Sequence, residues 1–279
     1  MSGDPLAFRR ASAHGQTFVY RDSGEGPLVV LLHGYPDTPN GWAGTQAALN
    51  AAGYRTVVPY LRGYHPDTIV AGRGYGRQEI GEDPIRLLDA LGEETAVIVG
   101  HDWGAAITYG AATLAPERVR ALCAVAIPHP NTLKPSLSLL WDGRHFLTLR
   151  LPTGAWLTRR NDFAYLDTLM RRWAPRWSGP DRDATLRNVK QAFADPAVLD
   201  GALNYYRAQR PGGAPRITQP ALIVGGTTDI VPLALFSETP SYCDGPCEVL
   251  IIEGAGHWPH RENAELFEQR LKSFLDGLK

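Results

Sequence analysis

In Ala96-Val-Ile-Val-Gly-His-Asp-Trp-Gly-Ala-Ala-Ile-Thr-Tyr109, four apolar residues run into a glycine-flanked acid and then into an alanine-rich stretch. The apolar run has the pattern of a strand buried on both faces. Gly100-His101-Asp102-Trp103-Gly104 matches a small–x–nucleophile–x–small turn, in which a strained residue stands between a strand and a helix and the glycines let the two approach. Serine usually occupies the centre of such a turn; here it is Asp102. The plainer alternative is an aspartate capping the following helix. A strand ending at Val99 and a helix beginning at once favour the nucleophile.

Working outward, the same buried-strand pattern recurs at Leu28–Leu32, Thr56–Val58, Val119–Ala126, Ala221–Val224 and Val249–Ile252. Helical periodicity falls between these runs, at about Gly41–Ala51, Gln78–Leu91, Trp103–Leu114 and Arg261–Leu278. Strands alternating with helices predict an α/β fold with a mostly parallel central sheet covered by helices on both faces. The first twenty residues predict an antiparallel hairpin at the sheet edge. The alternation breaks between His129 and Pro215, a stretch rich in Trp, Tyr, Leu and Arg and punctuated by Pro135, Pro152, Pro175 and Pro180. The predicted organisation is a core of residues 1–128 and 216–279 with a helical cap of 129–215 over the carboxyl ends of the strands, where open α/β sheets bind ligands.

Bulk composition narrows the function classes. The chain has 279 residues, 44% of them hydrophobic, and a formal net charge of −1. That length suits one large domain with an insertion. The charge gives no field favouring nucleic acid or an anionic membrane. No apolar run approaches a bilayer span, the longest near the start being Leu28–Leu32, and the first residues lack the core of a signal peptide. Cys123, Cys243 and Cys247 are too few and too irregular for a disulfide framework. The expectation is a cytoplasmic protein, a monomer or homodimer, without nucleic-acid or membrane partners.

Three further loops complete a constellation. Leu31-Leu-His-Gly-Tyr-Pro-Asp37 follows the first clear strand, and its turn would present the Tyr35 amide to the elbow; the second oxyanion donor would be the amide of Trp103. Ile252-Glu-Gly-Ala-Gly-His-Trp-Pro-His260 follows the last strand and places His257 as general base, with His260 the competitor. Val224-Gly-Gly-Thr-Thr-Asp229 ends another strand, and Asp229 would orient the histidine. Its alternative is a turn aspartate. His257-x-x-His260 is half a metal site at most, and no other cluster has ligand spacing, so no metal is expected.

On His33-Gly-Tyr-Pro36, Gly100-His-Asp-Trp-Gly104, Asp229 and Gly256-His-Trp258, the chain resembles the epoxide hydrolases of the α/β-hydrolase superfamily. The resemblance implies the α/β-hydrolase fold, with a cap that offers two acidic side chains to the epoxide oxygen. Ala202-Leu-Asn-Tyr-Tyr-Arg207 resembles the family's second cap motif, which carries the donor role to Tyr206. Counting back from Leu151-Pro152 puts His145 in the slot usually held by the other tyrosine, with Tyr165 and Tyr205 as substitutes. Pro36, Trp103, Phe146 and Trp141 are the expected substrate contacts, and the cap aromatics, Trp156 and Trp177 among them, suggest an apolar epoxide of some bulk. The implied reaction uses the Asp102 carboxylate to open the epoxide, then water activated by His257 to cleave the ester to a vicinal diol, with no metal or organic cofactor.

A dehalogenase with the same triad is the nearest alternative, since an indole N–H at Trp103 can cradle halide. Tyr35 stands where haloalkane dehalogenases usually place Asn or Glu, and the cap motif favours an epoxide. A non-catalytic binder that kept the fold is a third reading, against which the intact triad argues. Trp42 is expected to pack the first helix, His101 to be a buried packing and hydrogen-bonding residue, and the Arg159-Arg160 and Arg171-Arg172 pairs to be solvated faces.

Overall fold

Alternate residues of Leu28–Leu32 belong to two different cores. Leu28, Val30 and Leu32 pack on one side of the sheet, Val29 and Leu31 on the other. A strand whose every residue is buried cannot show polar alternation, which is why these runs read as continuously apolar.

The computed structural model describes residues 7–70, 74–134, 141–210 and 212–278. Its sheet has eight strands in the order β1-β2-β4-β3-β5-β6-β7-β8. β1 (Arg9–Ala13) and β2 (Gln16–Ser23) form the expected antiparallel hairpin at one edge, and β2 lies antiparallel to β4 (Arg55–Pro59). From β4 onward the neighbours are parallel: β3 (Leu28–Leu32), β5 (Ala96–His101), β6 (Val119–Val125), β7 (Ala221–Gly226) and β8 (Cys247–Ile252). The carboxyl ends of β3, β5, β7 and β8 therefore lie along one edge of the sheet, and the loops that leave them carry Tyr35, Asp102, Asp229 and His257.

Helices cover both faces. α1 (Ala43–Ala51) packs beside the long C-terminal helix, and α2 (Arg77–Leu91) packs against α3 (Trp103–Leu114). Two predicted helices differ in detail. A 3₁₀ turn, Pro39–Trp42, precedes α1, because proline fits the first helical turn, where its missing N–H is not needed. The predicted Arg261–Leu278 helix is split at Asn263, whose side chain accepts the Leu266 amide and so starts a new helix.

The described part of the segment between β6 and β7 is mostly helical. α4 (Arg144–Arg150), α5 (Gly154–Trp173), α6 (Pro180–Phe193) and α7 (Pro196–Ala208) occupy it. The prolines fall at boundaries: Pro152 between α4 and α5, Pro175 just past α5, and Pro180 at the first position of α6. Pro135 and residues 1–6 of the N-terminal segment lie outside the described residues. α5 is broken at Arg160–Phe163, where Asn161, Asp162 and Phe163 all have positive φ. After α7 and its shorter α8 successor (Leu233–Glu238), the chain closes with α9 (Pro259–Glu262) and α10 (Ala264–Asp276). No described helix is long and apolar enough to cross a membrane.

Candidate active site

Asp102 sits between β5 and α3 with φ 54° and ψ −117°, outside the regions an L-residue adopts freely. Such strain costs about 1–3 kcal/mol and persists only where the surroundings enforce it. Here they do. A Cβ on Gly100 would strike the backbone of Gly104, and one on Gly104 would strike the Leu32 carbonyl. The amides of Ala105 and Ala106 donate to the Asp102 carbonyl at 2.9 and 3.1 Å, starting α3 beneath the raised side chain.

The carboxylate is held at both oxygens. The Tyr35 amide donates to Oδ1 at 2.7 Å, and His257 Nε2 stands 3.2 Å from Oδ2. On its other side, His257 Nδ1 lies 2.9 and 3.1 Å from the two oxygens of Asp229, whose side chain is wholly buried. The structure thus brings Asp102, His257, Asp229 and the Tyr35 amide together. Trp103 is the first residue of α3, so its amide has no partner within the helix.

The loop bearing Tyr35 is pinned by His33. Its Nε2 accepts the Leu61 amide at 3.1 Å, so Nδ1 carries the hydrogen and donates to the Gly34 carbonyl at 3.1 Å. Burial holds the His33 pKa down to about 4, so this tautomer persists at neutral pH. Pro36, buried behind Tyr35 after a cis peptide bond, is not among the residues lining the cavity.

Electrostatics divide the labour. Burial pushes the Asp102 pKa up, but the hydrogen bond and charge of His257, His101 nearby and the Tyr35 amide outweigh it, and the carboxyl titrates below its ordinary range. Burial pulls His257 down, but Asp229 and Asp102 together lift it to about 10. The resting pair is therefore carboxylate and imidazolium. A histidine whose folded pKa exceeds its unfolded value of about 6.5 stabilises the fold fully below that pH and loses the contribution as pH rises towards 10. Melting temperature should accordingly fall more steeply between pH 6.5 and 10 in the wild type than in His257→Gln; equal slopes in calorimetric scans would contradict the assignment.

A cavity of about 520 Å³ opens from this carboxylate. Trp103, His145, Phe146, Trp173 and His257 surround its catalytic end. It then follows one face of α3 past Ala106, Tyr109, Gly110 and Thr113 towards Arg77 and Gln209. At 1.5 Å per residue the lining stretch of α3 from Trp103 to Leu114 is roughly 16 Å long, so the cavity is elongated, and most of its lining is apolar.

His145, 6% exposed, lines the cavity with its Nδ1 unpartnered, and burial lowers its pKa to about 3. It is therefore a neutral imidazole at ordinary pH. Tyr206 is not among the lining residues but backs them, its ring 5.1 Å from Trp103, 4.9 Å from Phe146 and 6.1 Å from His145. Tyr205 also packs on Trp103, ring centroids 5.6 Å apart, and its other ring neighbours are Tyr64 and Tyr75.

Three of the cap aromatics named from the sequence lie elsewhere. Trp141 is 69% exposed under the Arg144 guanidinium and does not line the cavity, because it precedes α4 on the outward side. Trp156 is likewise exposed, and Trp177 packs on Trp258. Trp173 was not singled out by sequence. It lines the cavity, packs its ring 4.6 Å from His145 and 5.1 Å from His257, and accepts the His257 amide at its carbonyl. Glu262 was missed too: it receives the amides of Gly256 and Trp258 and so shapes the His257 loop. Its signal was legible, an acid in the first turn of a helix.

His101 donates from Nε2 to the His257 carbonyl at 2.7 Å, the bonding role expected of it, and Trp42 packs on His260 and Phe267. His260 faces away from the cavity. With His101 and Asp37 it forms the one group among the described residues whose potential ligand atoms lie within 4.8 Å of each other. Asp37 already accepts the Thr38 amide and the Trp258 indole N–H, so the cluster reads as buried polar packing.

The sequence profile described as the alpha/beta hydrolase family matches residues 29–270. The chain belongs to that family. This hydrolase is 30% identical to an AB hydrolase superfamily protein of Bacillus subtilis, over 90% of this chain and 91% of the relative. It is also 30% identical to an epoxide hydrolase of Caballeronia sordidicola, over 94% of this chain and 91% of that one. Among solved structures, epoxide hydrolase A of Mycobacterium thermoresistibile superposes with a TM-score of 0.80 at 27% identity, covering 98% of this hydrolase and 99% of that chain.

Proposed function

We propose that this hydrolase opens an apolar epoxide to a vicinal diol through a covalent ester on Asp102. The observation that carries the reading is a carboxylate, in place of a hydroxyl, on a strained elbow 3.2 Å from an Asp-oriented histidine. A hydroxyl must lose its proton before it attacks, whereas a carboxylate held anionic can displace a leaving group from saturated carbon directly. The relatives named as epoxide hydrolases support the same reading.

Asp102 attacks a ring carbon while His145 and Tyr206, projecting from the cap formed by residues 129–215, hydrogen-bond the ring oxygen. The C–O bond breaks and the oxygen leaves as the alkoxide of a hydroxyalkyl ester; the proton that the resting His257 imidazolium gives up once Asp102 is esterified makes it a hydroxyl. His257 next takes a proton from water, which attacks the ester carbonyl; the amides of Tyr35 and Trp103 hold the oxyanion. The diol departs and the carboxylate returns. The long cavity along α3 favours substrates with an extended apolar arm, and Phe146 contacts that arm.

Diol formation from styrene oxide and longer terminal epoxides tests the reaction. Halide release from haloalkanes tests the one alternative with an observation behind it, the buried indole N–H of Trp103 beside Tyr206, which could cradle a halide. Substituting the donors separates their roles: Tyr206→Phe and His145→Phe should each lower kcat/KM for epoxides about 10–1000-fold. Unchanged kcat/KM in either variant would remove that residue from the donor pair.

A further inference from the structure

We propose that the outward face of α4 and the first turns of α5 docks this protein on an anionic lipid surface. The stretch from Trp141 to Arg160 exposes Leu147 (68%), Leu151 (54%) and Trp156 (62%) together with Trp141. Single exposed apolar residues need no explanation, but several large ones along one stretch of surface mark a contact site. The same stretch carries Arg144, Arg150, Arg159 and Arg160, and no acid lies between Asp142 and Asp162 in the sequence. Those two acids are engaged elsewhere, Asp142 with Arg172 and Asp162 with Lys190. Among the described residues none of the four arginines has a carboxylate partner. Arg144 lies 4.5 Å over Trp141 and Arg160 5.3 Å over Trp156.

The pattern selects its occupant. Tryptophan and leucine beside unpaired arginine match the interface of an anionic bilayer, where indoles sit at headgroup depth and guanidinium groups meet phosphate. A second copy fits poorly, since a two-fold contact would set four arginines against the partner's four with no acid between them. The contact needs no spanning helix, and the net charge of −1 for the whole chain concealed it by averaging. Phe146 joins the two surfaces: it is 40% exposed on α4 and also lines the cavity, so a docked molecule would hold its site against the phase in which an apolar compound dissolves.

The experiment is sedimentation with vesicles of phosphatidylcholine alone and of phosphatidylcholine mixed with phosphatidylglycerol, followed also by tryptophan emission. Wild type should bind the mixed vesicles at least tenfold more tightly than the neutral ones, with affinity falling as salt rises. Arg150→Gln/Arg159→Gln should weaken binding about 25-fold, at roughly fivefold per arginine. Leu147→Ser/Trp156→Ser should abolish the blue shift on binding. Both variants should keep wild-type melting and turnover of a short water-soluble epoxide, which separates this proposal from the reaction. Absence of vesicle binding, indifference to either double substitution, or a wild-type dimer that Leu147→Ser/Trp156→Ser dissociates would each overturn it.

Discussion

A single turnover in heavy-oxygen water should yield a diol with almost no label, because its new oxygen comes from the Asp102 carboxylate. In the second step water attacks the ester carbonyl carbon, and the heavy oxygen stays on the enzyme. Label should reach the diol only from the second turnover onward. Asp102→Asn should lose at least about 10³-fold in kcat/KM, since an amide lacks the anionic nucleophile while retaining an oxygen for the Tyr35 amide, 2.7 Å away in the wild type. The geometry makes this one of the two largest effects expected of any substitution. The strained backbone at φ 54° is maintained by close glycine contacts on both sides, and its evident return is a raised carboxylate facing the cavity. Label in the first diol at the full enrichment of the solvent would mean that His257 activates water for direct attack, with Asp102 a mere orienting group.

The residues that made this site legible share a property: each stands at the carboxyl end of a strand whose apolar run is unmistakable. Asp102 follows β5, Asp229 follows β7 and His257 follows β8, so the sheet's register converts sequence order into proximity. The insertion obeyed no such ruler. Amphipathic helices announce their existence, but the angle at which they sit is decided by packing that no short window contains. Hence His145 was placed by counting and Trp141 was expected at the substrate, whereas Trp173, nearly three turns past the break at Arg160–Phe163, is the cap indole that lines the cavity. The kink itself, three consecutive positive-φ residues without a glycine, is signalled in the sequence only by Asn161-Asp162, residue types that tolerate that conformation, and not by Phe163. Glu262 could have been read, because free amides at a helix start attract an acid. Its partners, Gly256 and Trp258, flank His257, so its carboxylate shapes the loop that carries the base.

His257→Gln should let the ester accumulate, visible as one epoxide mass added per chain, while steady-state turnover falls about 10³-fold or more. The argument turns on when the histidine can act as a base. In the resting enzyme its pKa is near 10, so at pH 7 it carries a proton and cannot accept another. Two of the influences that lift it, a hydrogen bond and a charge, come from Asp102. Esterification removes that charge. Burial, the largest influence and the one that pulls the pKa down, is then opposed by Asp229 alone, and the imidazole becomes a base at the moment the ester needs water. The two half-reactions should accordingly differ in pH dependence. Ester formation needs only the Asp102 carboxylate, whose pKa is depressed, and should be flat through neutrality. Ester hydrolysis should rise with pH and level off at a value below 10, read from the decay of the isolated intermediate. A decay that climbs all the way to pH 10 would mean that Asp102's charge never governed the histidine, and the coupling between nucleophile and base would have to be given up.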